Sequence, residues 1–279
     1  MLLMGRKTAD TLNDALKLKV DQLKTKPRLE IILVGDNPAS HSYVKGKLKT
    51  ASKLGMTVNI TNLPEIASQK DVERLITDFN FKKEVNGILL QLPLPAHMDS
   101  DYLISLIDYK KDVDGFHTMN QGLLFQKKEG IRPATPLGIM MLLDHYQIPI
   151  EGQHVVIIGR SQIVGAPLAK MFLDRNATVT ITHSKTKNLA MHTKQADILV
   201  AAIGKPKFVT KDMVKEGAVV IDVGINRVDG KLTGDVDFDN VEPIASYITP
   251  VPKGVGPMTI CALAHNLYHL YIEQEKNKS

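Results

Sequence analysis

Apolar positions along the chain fall alternately into short unbroken runs and into stripes of helical spacing. Unbroken runs at 29–35 (LEIILVG), 85–93 (VNGILLQLP), 153–159 (QHVVIIG), 196–204 (ADILVAAIG) and 217–226 (GAVVIDVGIN) predict strands buried on both faces. MTVNITNL at 56–63, ATVTITH at 177–183 and YITPV at 247–251 add three more. Helical spacing predicts helices over 8–24, 39–54, 69–80, 99–107, 136–146, 165–174 and 257–275, while KDVDGFHTMNQG reads as turns. Strands alternating with helices place the chain in the α/β class, with parallel sheets covered on both sides. The rhythm restarts near 136–152, and 279 residues suffice for two such domains.

Composition narrows the class. With 43% apolar and 23% charged residues the chain is a folded globular protein rather than a disordered one. It has no tryptophan, and its lysines are spread out, so a nucleic-acid surface of interleaved aromatic and basic residues is not expected. A net charge of +5 suits small anionic ligands. No run reaches the length of a membrane span, and the N-terminus carries no signal or transit pattern. The single cysteine, Cys261, sits in an apolar run and excludes an intrachain disulfide, so a cytoplasmic setting is expected.

In the second half, HVVIIGRSQIVGAPLAKMF runs from strand through a glycine turn into a helix, the layout that aims helix amides at a pyrophosphate. Gly159 and Gly165 are separated by five residues, which is not the common dinucleotide spacing, and a ligand-free turn would read the same way. The next strand ends in His183, Ser184, Lys185 and Thr186, where an NAD site would place a carboxylate. With Arg160 in the first turn, these groups favour a ribose phosphate and therefore NADP. Gly204, Asp222, Gly224 and Asn226 end the following strands, where open α/β sheets take ligands or simply turn.

In the first half, Asn37-Pro38 makes a turn, and Ser40 is expected to cap the helix that follows. Tyr43 and Lys47, four apart, share a face of that helix. Gln91 ends a buried strand and points to a cleft or a buried hydrogen bond. Asp114 and Asp112 in KDVDGF read as ligand contacts or turn formers; nothing nearby completes a metal site, and none is expected.

YVKGK, QLPLP, KDVDGF, PATP, GRSQIVGAP, HSKT, DVGIN, GDVDF and PVPKGVGPMT occur in this order from about residue 30 to 260. Together they resemble the bifunctional methylenetetrahydrofolate dehydrogenase/methenyltetrahydrofolate cyclohydrolase family. The resemblance implies two parallel-sheet α/β domains with a cleft between them, the second a Rossmann-type dinucleotide-binding domain. It assigns 1–137 plus 257–279 to the folate-binding catalytic domain, with the last helix returning to it, and 138–256 to the NADP-binding domain. It implies a homodimer. By position, Lys47 matches the catalytic lysine, Tyr43 the residue stacked on the folate's aminobenzoyl ring, and Gln91 the partner of the lysine. Asp114 matches the aspartate at the pterin's amino edge, and Gly256 and Pro257 lie in the substrate and nicotinamide loop. Arg160 and Ser184 match positions near the ribose phosphate; Gly159, Ser161, Gly165, His183, Gly204 and Ile225 complete the expected cofactor set.

Two departures stand out. Pro133-Ala134-Thr135-Pro136 replaces the family's proline-cysteine-threonine-proline, so no thiol acts there, and the N-terminus lacks part of the usual first strand. The rival readings are an NADP-dependent dehydrogenase of another metabolite on a shikimate-type plan, a non-catalytic folate-binding relative, and a family member with the dehydrogenase activity alone. The spacing of Tyr43, Lys47, Gln91 and Asp114 argues against the first, and the intact lysine and glutamine against the second.

Overall fold

Side chains alternate along a strand, so a sheet covered on both sides must be apolar at every position. In the computed structural model, which describes residues 1–276, β1 (Arg28–Val34) does this. Leu29, Ile31 and Leu33 pack on one face, against Leu16, Val44, Leu54 and Leu267; Ile32 and Val34 pack on the other, against Val72, Ile76 and Leu103. The polar exception, Glu30, is buried and satisfied: it accepts from Arg28 Nε and Asn59 Nδ2, both at 2.8 Å. Parallel neighbours β2 (Thr57–Leu63) and β3 (Gly87–Leu90) flank it in the order β2-β1-β3.

The faces of this sheet receive α1 (Gly5–Asp21), α2 (Pro38–Lys53), α3 (Gln69–Phe81) and the short α4 (Ser100–Ser105). A capping box starts α3: Ser68 Oγ accepts from the Asp71 amide at 3.3 Å, and Asp71 Oδ2 from the Ser68 amide at 3.1 Å. The stretch expected to be all turns contains α5 (Thr118–Phe125), whose first turn is capped by His117 Nδ1. Its polar first residues hid the helix from periodicity. The chain then enters α6 (Ala134–His145).

The second sheet has the parallel order β10-β7-β6-β4-β5. Its strands are β4 (His154–Ile158), β5 (Thr178–Thr182), β6 (Ile198–Ala201), β7 (Val219–Asp222) and β10 (Tyr247–Ile248). Helices α7 (Gly165–Asp174) and α8 (Leu189–Thr193) link the first three. A hairpin of β8 (Asn226–Val228) and β9 (Lys231–Thr233), then α9 (Phe238–Val241), separates β7 from β10, and none of these three elements was expected. The last helix, α10 (Val255–Lys276), buries Cys261.

Two compact units result: residues 11–134 with the chain from Leu263 onward, and residues 1–10 with 135–262. The first ten residues therefore go with the second sheet, not with the first domain as expected. Backbone pairing explains it: the Leu3 amide donates to Ile248 O at 2.8 Å and the Ile248 amide to Met1 O at 3.0 Å, which extends β10. Gly5 then crosses so close to Gly254 that a Cβ would lie 1.9 Å from its carbonyl oxygen. In both sheets the chain starts on an inner strand, steps to one side, then jumps to the other. The switch points lie between β1 and β3 and between β4 and β6.

His265 on α10 hydrogen-bonds the Leu12 backbone, but its Nε2 is buried without a partner. Burial, aided by the Lys19 charge, pushes its pKa down to about 4. The unfolded chain takes up this proton near pH 6.5 and the folded chain does not, so stability present above pH 6.5 is lost as pH falls toward 4. The loss expected from a depression of that size is about 3 kcal/mol. Urea unfolding across this window checks it: His265→Gln should flatten the decline, and an equally steep decline in the variant would place the acid sensitivity elsewhere.

Candidate functional site

In the first unit the site begins where α2 starts. Pro38 suits a first helical turn because it has no amide to satisfy. The cap is Asn37, whose Oδ1 accepts from the Ser40 amide at 3.2 Å, and not Ser40 as expected. Three residues past that cap, Ser40 turns its hydroxyl inward, where it is buried without a partner. Ser40, Tyr43 and Lys47 stand at i, i+3 and i+7, so a single helix face carries all three. Ser40 went unnoticed in the sequence as a site residue; its heptad spacing from Lys47 was the available signal.

Lys47 is 8% exposed, and its Nζ donates to Gln91 Oε1 at 3.1 Å. Gln91 stands just past β3; its amide donates to Ile32 O at 2.9 Å and its Nε2 to Leu92 O at 2.7 Å. With the donor end of its side chain committed, Gln91 presents its acceptor end to the lysine. Burial lowers the Lys47 pKa, and the charge of Asp114 opposes that fall. Asp114 mirrors it: burial raises its pKa, Lys47 pulls it down, and Asp112 pushes it up. Tyr43 is half-buried, which raises its phenol pKa.

The Asp114 loop is braced by Asp112, which the sequence offered as a turn former, and by Asn266, which it did not single out. Asp112 is a buried turn builder: its carboxylate accepts from the Gly115 amide at 3.1 Å, the His117 amide at 2.8 Å and Asn120 Nδ2 at 2.9 Å. Asn266 donates to Val113 O at 3.0 Å and to Arg132 O at 2.9 Å, tying KDVDGF to PATP. Gly115, at φ +73°, passes so near Arg132 that a Cβ would lie 2.7 Å from its carbonyl carbon. Ala134, where the family cysteine would stand, is buried and donates its amide to Asp114 O at 3.3 Å.

In the second unit, backbone packs on backbone at the switch point. Gly159 has φ +121°, and a Cβ there would lie 2.3 Å from Ala202 O; a Cβ on Gly165 would lie 2.2 Å from Gly159 O. Only glycine lets strand end and helix start approach this closely. Ser161 Oγ accepts from the Val164 and Gly165 amides at 3.2 and 3.4 Å. Arg160, Ser161 and Ser184 are exposed beside this turn's strand ends, and His183 is half-buried, its Nδ1 accepting from the Lys185 amide at 3.1 Å. A glycine cradle at a helix start, with cationic and hydroxyl groups and no carboxylate after β5, fits a dinucleotide bearing an extra phosphate. Gly204 is open at φ +64°. Ile225 is exposed, and a Cβ on Gly256 would meet its Cδ1 at 3.5 Å, so these two share a surface; Pro257 follows in the first turn of α10.

Asp222, expected at the open strand end, is buried instead. Its carboxylate accepts from the Gly224, Asp235 and Val236 amides, each at 2.9 Å, and burial pushes its pKa up to about 6. Asp235 was missed although it lies in GDVDF. The signal was its preceding glycine: a Cβ on Gly234 would lie 1.8 Å from Asp222 Oδ2.

Asn266→Ala removes the side-chain bonds to the Val113 and Arg132 carbonyls and should cost about 1–3 kcal/mol in urea unfolding. An unchanged midpoint would mean that the two loops stay in place without it.

Residues 3–114 match the family model for the tetrahydrofolate dehydrogenase/cyclohydrolase catalytic domain, and residues 133–275 the model for its NAD(P)-binding domain. A bifunctional protein FolD from Acholeplasma laidlawii is 80% identical over 276 residues, covering 99% of this chain and all of its own. Among solved structures, the bifunctional FolD dehydrogenase/cyclohydrolase of Campylobacter jejuni is 46% identical with a TM-score of 0.95, over 100% of this chain and 99% of that one. The methylenetetrahydrofolate dehydrogenase-cyclohydrolase of Trypanosoma brucei, solved with NADP cofactor and an inhibitor, is 35% identical with a TM-score of 0.93, over 98% and 97%.

Proposed function

The chain belongs to the tetrahydrofolate dehydrogenase/cyclohydrolase family, and we infer from this and from its two sites that it carries out both reactions. It oxidises methylenetetrahydrofolate to methenyltetrahydrofolate with NADP, then hydrolyses that product to formyltetrahydrofolate. The observation that carries this reading is the buried Lys47 amine, held by a neutral amide at 3.1 Å.

Bound NADP supplies the hydride acceptor, and the folate nitrogen beside the reacting carbon stabilises the methenyl cation that remains. For that step the protein binds and aligns. Gly159 and Gly165 let the backbone approach the pyrophosphate, with Ser161 at the same turn. Arg160, His183 and Ser184 hold the ribose phosphate, and Gly204 and Ile225 line the rest of the cofactor surface. Gly256 and Pro257 serve the substrate side.

Hydrolysis needs a proton to move. Lys47, biased toward its neutral form by burial, takes a proton at Nζ as water adds to the methenyl carbon. It returns that proton to the folate nitrogen when the carbon–nitrogen bond breaks, and the adduct's hydroxyl proton leaves to solvent as the formyl C=O forms, so one proton is released and the lysine ends as it began. Gln91 aims the amine without adding charge. Tyr43 stacks on the aminobenzoyl ring, and Asp114, as a carboxylate, accepts two parallel hydrogen bonds from the pterin's amino edge. Ala134 beside that loop means that no thiol takes part. The division of labour largely follows the compact units, with folate chemistry mainly on 11–134 and cofactor binding on the unit that holds 135–262. The working form is a cytoplasmic homodimer, as the family resemblance implies; among the described residues no helix is long and apolar enough to cross a membrane.

Purified protein given methylenetetrahydrofolate should reduce NADP and consume added methenyl compound. Lys47→Met should abolish hydrolysis and leave folate binding measurable; hydrolysis at the parent rate would make the lysine a bystander. Arg160→Ala should weaken NADP about tenfold or more while NAD changes little, the contrast a charge-assisted phosphate contact gives. Equal losses for both cofactors would move Arg160 away from the phosphate.

A further inference from the structure

Three consecutive backbone amides, at Ile203, Gly204 and Lys205, follow β6 and converge on one point. Successive amides of this kind, with Gly204 in the left-handed region at φ +64°, form a concavity suited to an anion. The protein fills it with its own carboxylate. Asp235, fully buried, accepts from Ile203 N at 2.8 Å and Gly204 N at 2.9 Å on Oδ2, and from Lys205 N at 2.8 Å and Asn226 Nδ2 at 2.9 Å on Oδ1. Asp222 fixes Asp235 in turn, accepting from its amide. Both glycines that flank the β8–β9 hairpin are dictated by this pair: a Cβ on Gly224 would lie 2.2 Å from Asp235 Oδ1, and one on Gly234 would lie 1.8 Å from Asp222 Oδ2.

We propose that Asp235 is a positioning residue for the cofactor: it sets the loop after β6 and the strand end at Ile225–Asn226 in their binding shape. The proposal rests on the reading of Gly204 and Ile225 as cofactor-side residues. It also divides labour between two turns. The amides after β6 are spent on Asp235, so that loop offers the dinucleotide carbonyls and surface, and phosphate binding falls to the Gly159–Gly165 turn.

The test is NADPH binding to the intact chain by fluorescence titration, which needs no folate, beside methenyl hydrolysis with no nicotinamide cofactor present. Asp235→Asn turns an NH2 group against two amide donors, and Asp235→Ala leaves the amides unheld. Gly204→Ala strains the same loop without touching the carboxylate and serves if the Asp235 variants fail to fold. Each should weaken NADPH binding tenfold or more, and raise the NADP KM more than it lowers kcat, with cofactor-free hydrolysis within about twofold of the parent. Leu143→Ala, a cavity on α6 in the same unit, should lower stability and leave NADPH affinity unchanged. Unchanged affinity in the Asp235 or Gly204 variants overturns the proposal. So does an equal loss of affinity in Leu143→Ala, which would make the effect one of stability alone. A parent chain that binds no NADPH would instead sink the functional reading beneath it.

Discussion

A parallel sheet covered on both faces has no room for chemistry along its strands; polar side chains can work only where a strand stops. Both sheets obey this constraint. Gln91 stands one residue past β3, Gly159 one past β4, His183 one past β5, and Asp222 is the last residue of β7. The switch in strand order does the rest. It opens the space above β1 and β3 in one unit, and above β4 and β6 in the other, because the connections leave in opposite directions there. The lysine–glutamine contact and the double-glycine turn are the same topological solution filled with different residues.

What each unit places at its switch point differs in electrostatic logic. The first buries an amine against a neutral amide and sets a carboxylate to act on it through space. Neither Lys47 nor Asp114 then rests at its ordinary pKa, a usual mark of a site that moves protons or reads a ligand. The second spends its carboxylates on the protein's own amides. Asp222 and Asp235 together accept seven hydrogen bonds from backbone and Asn226, which keeps their buried oxygens satisfied.

The fold class and nearly every long element were legible, because unbroken apolar runs and helical stripes are strong local signals. The short pieces were not. The hairpin at 226–233 is polar and exposed, and α5 begins on a histidine cap that no apolar period announces. The packing of the first ten residues on the second sheet was not legible, because Leu3 pairs with Ile248, 245 residues on, through backbone hydrogen bonds, which carry no side-chain signature. In the site, Lys47 and Gln91 were visible as a pair through family motifs, and the structure brings them into contact. Asp112 was legible as a turn former, but Asn266 and Asp235 were invisible as braces, since a side chain that satisfies distant backbone groups carries no local pattern.

Cys261 is the sole cysteine of the chain, buried on α10, and burial, with the Asp10 charge adding to it, pushes its thiol pKa up to about 12. A thiol in that state forms almost no thiolate at neutral pH and offers little to oxidants or alkylating agents. Together with Ala134, it gives a protein whose redox chemistry resides wholly in what it binds. For the chemist the chain is silent toward maleimide, and any cysteine placed on its surface would be the one that answers.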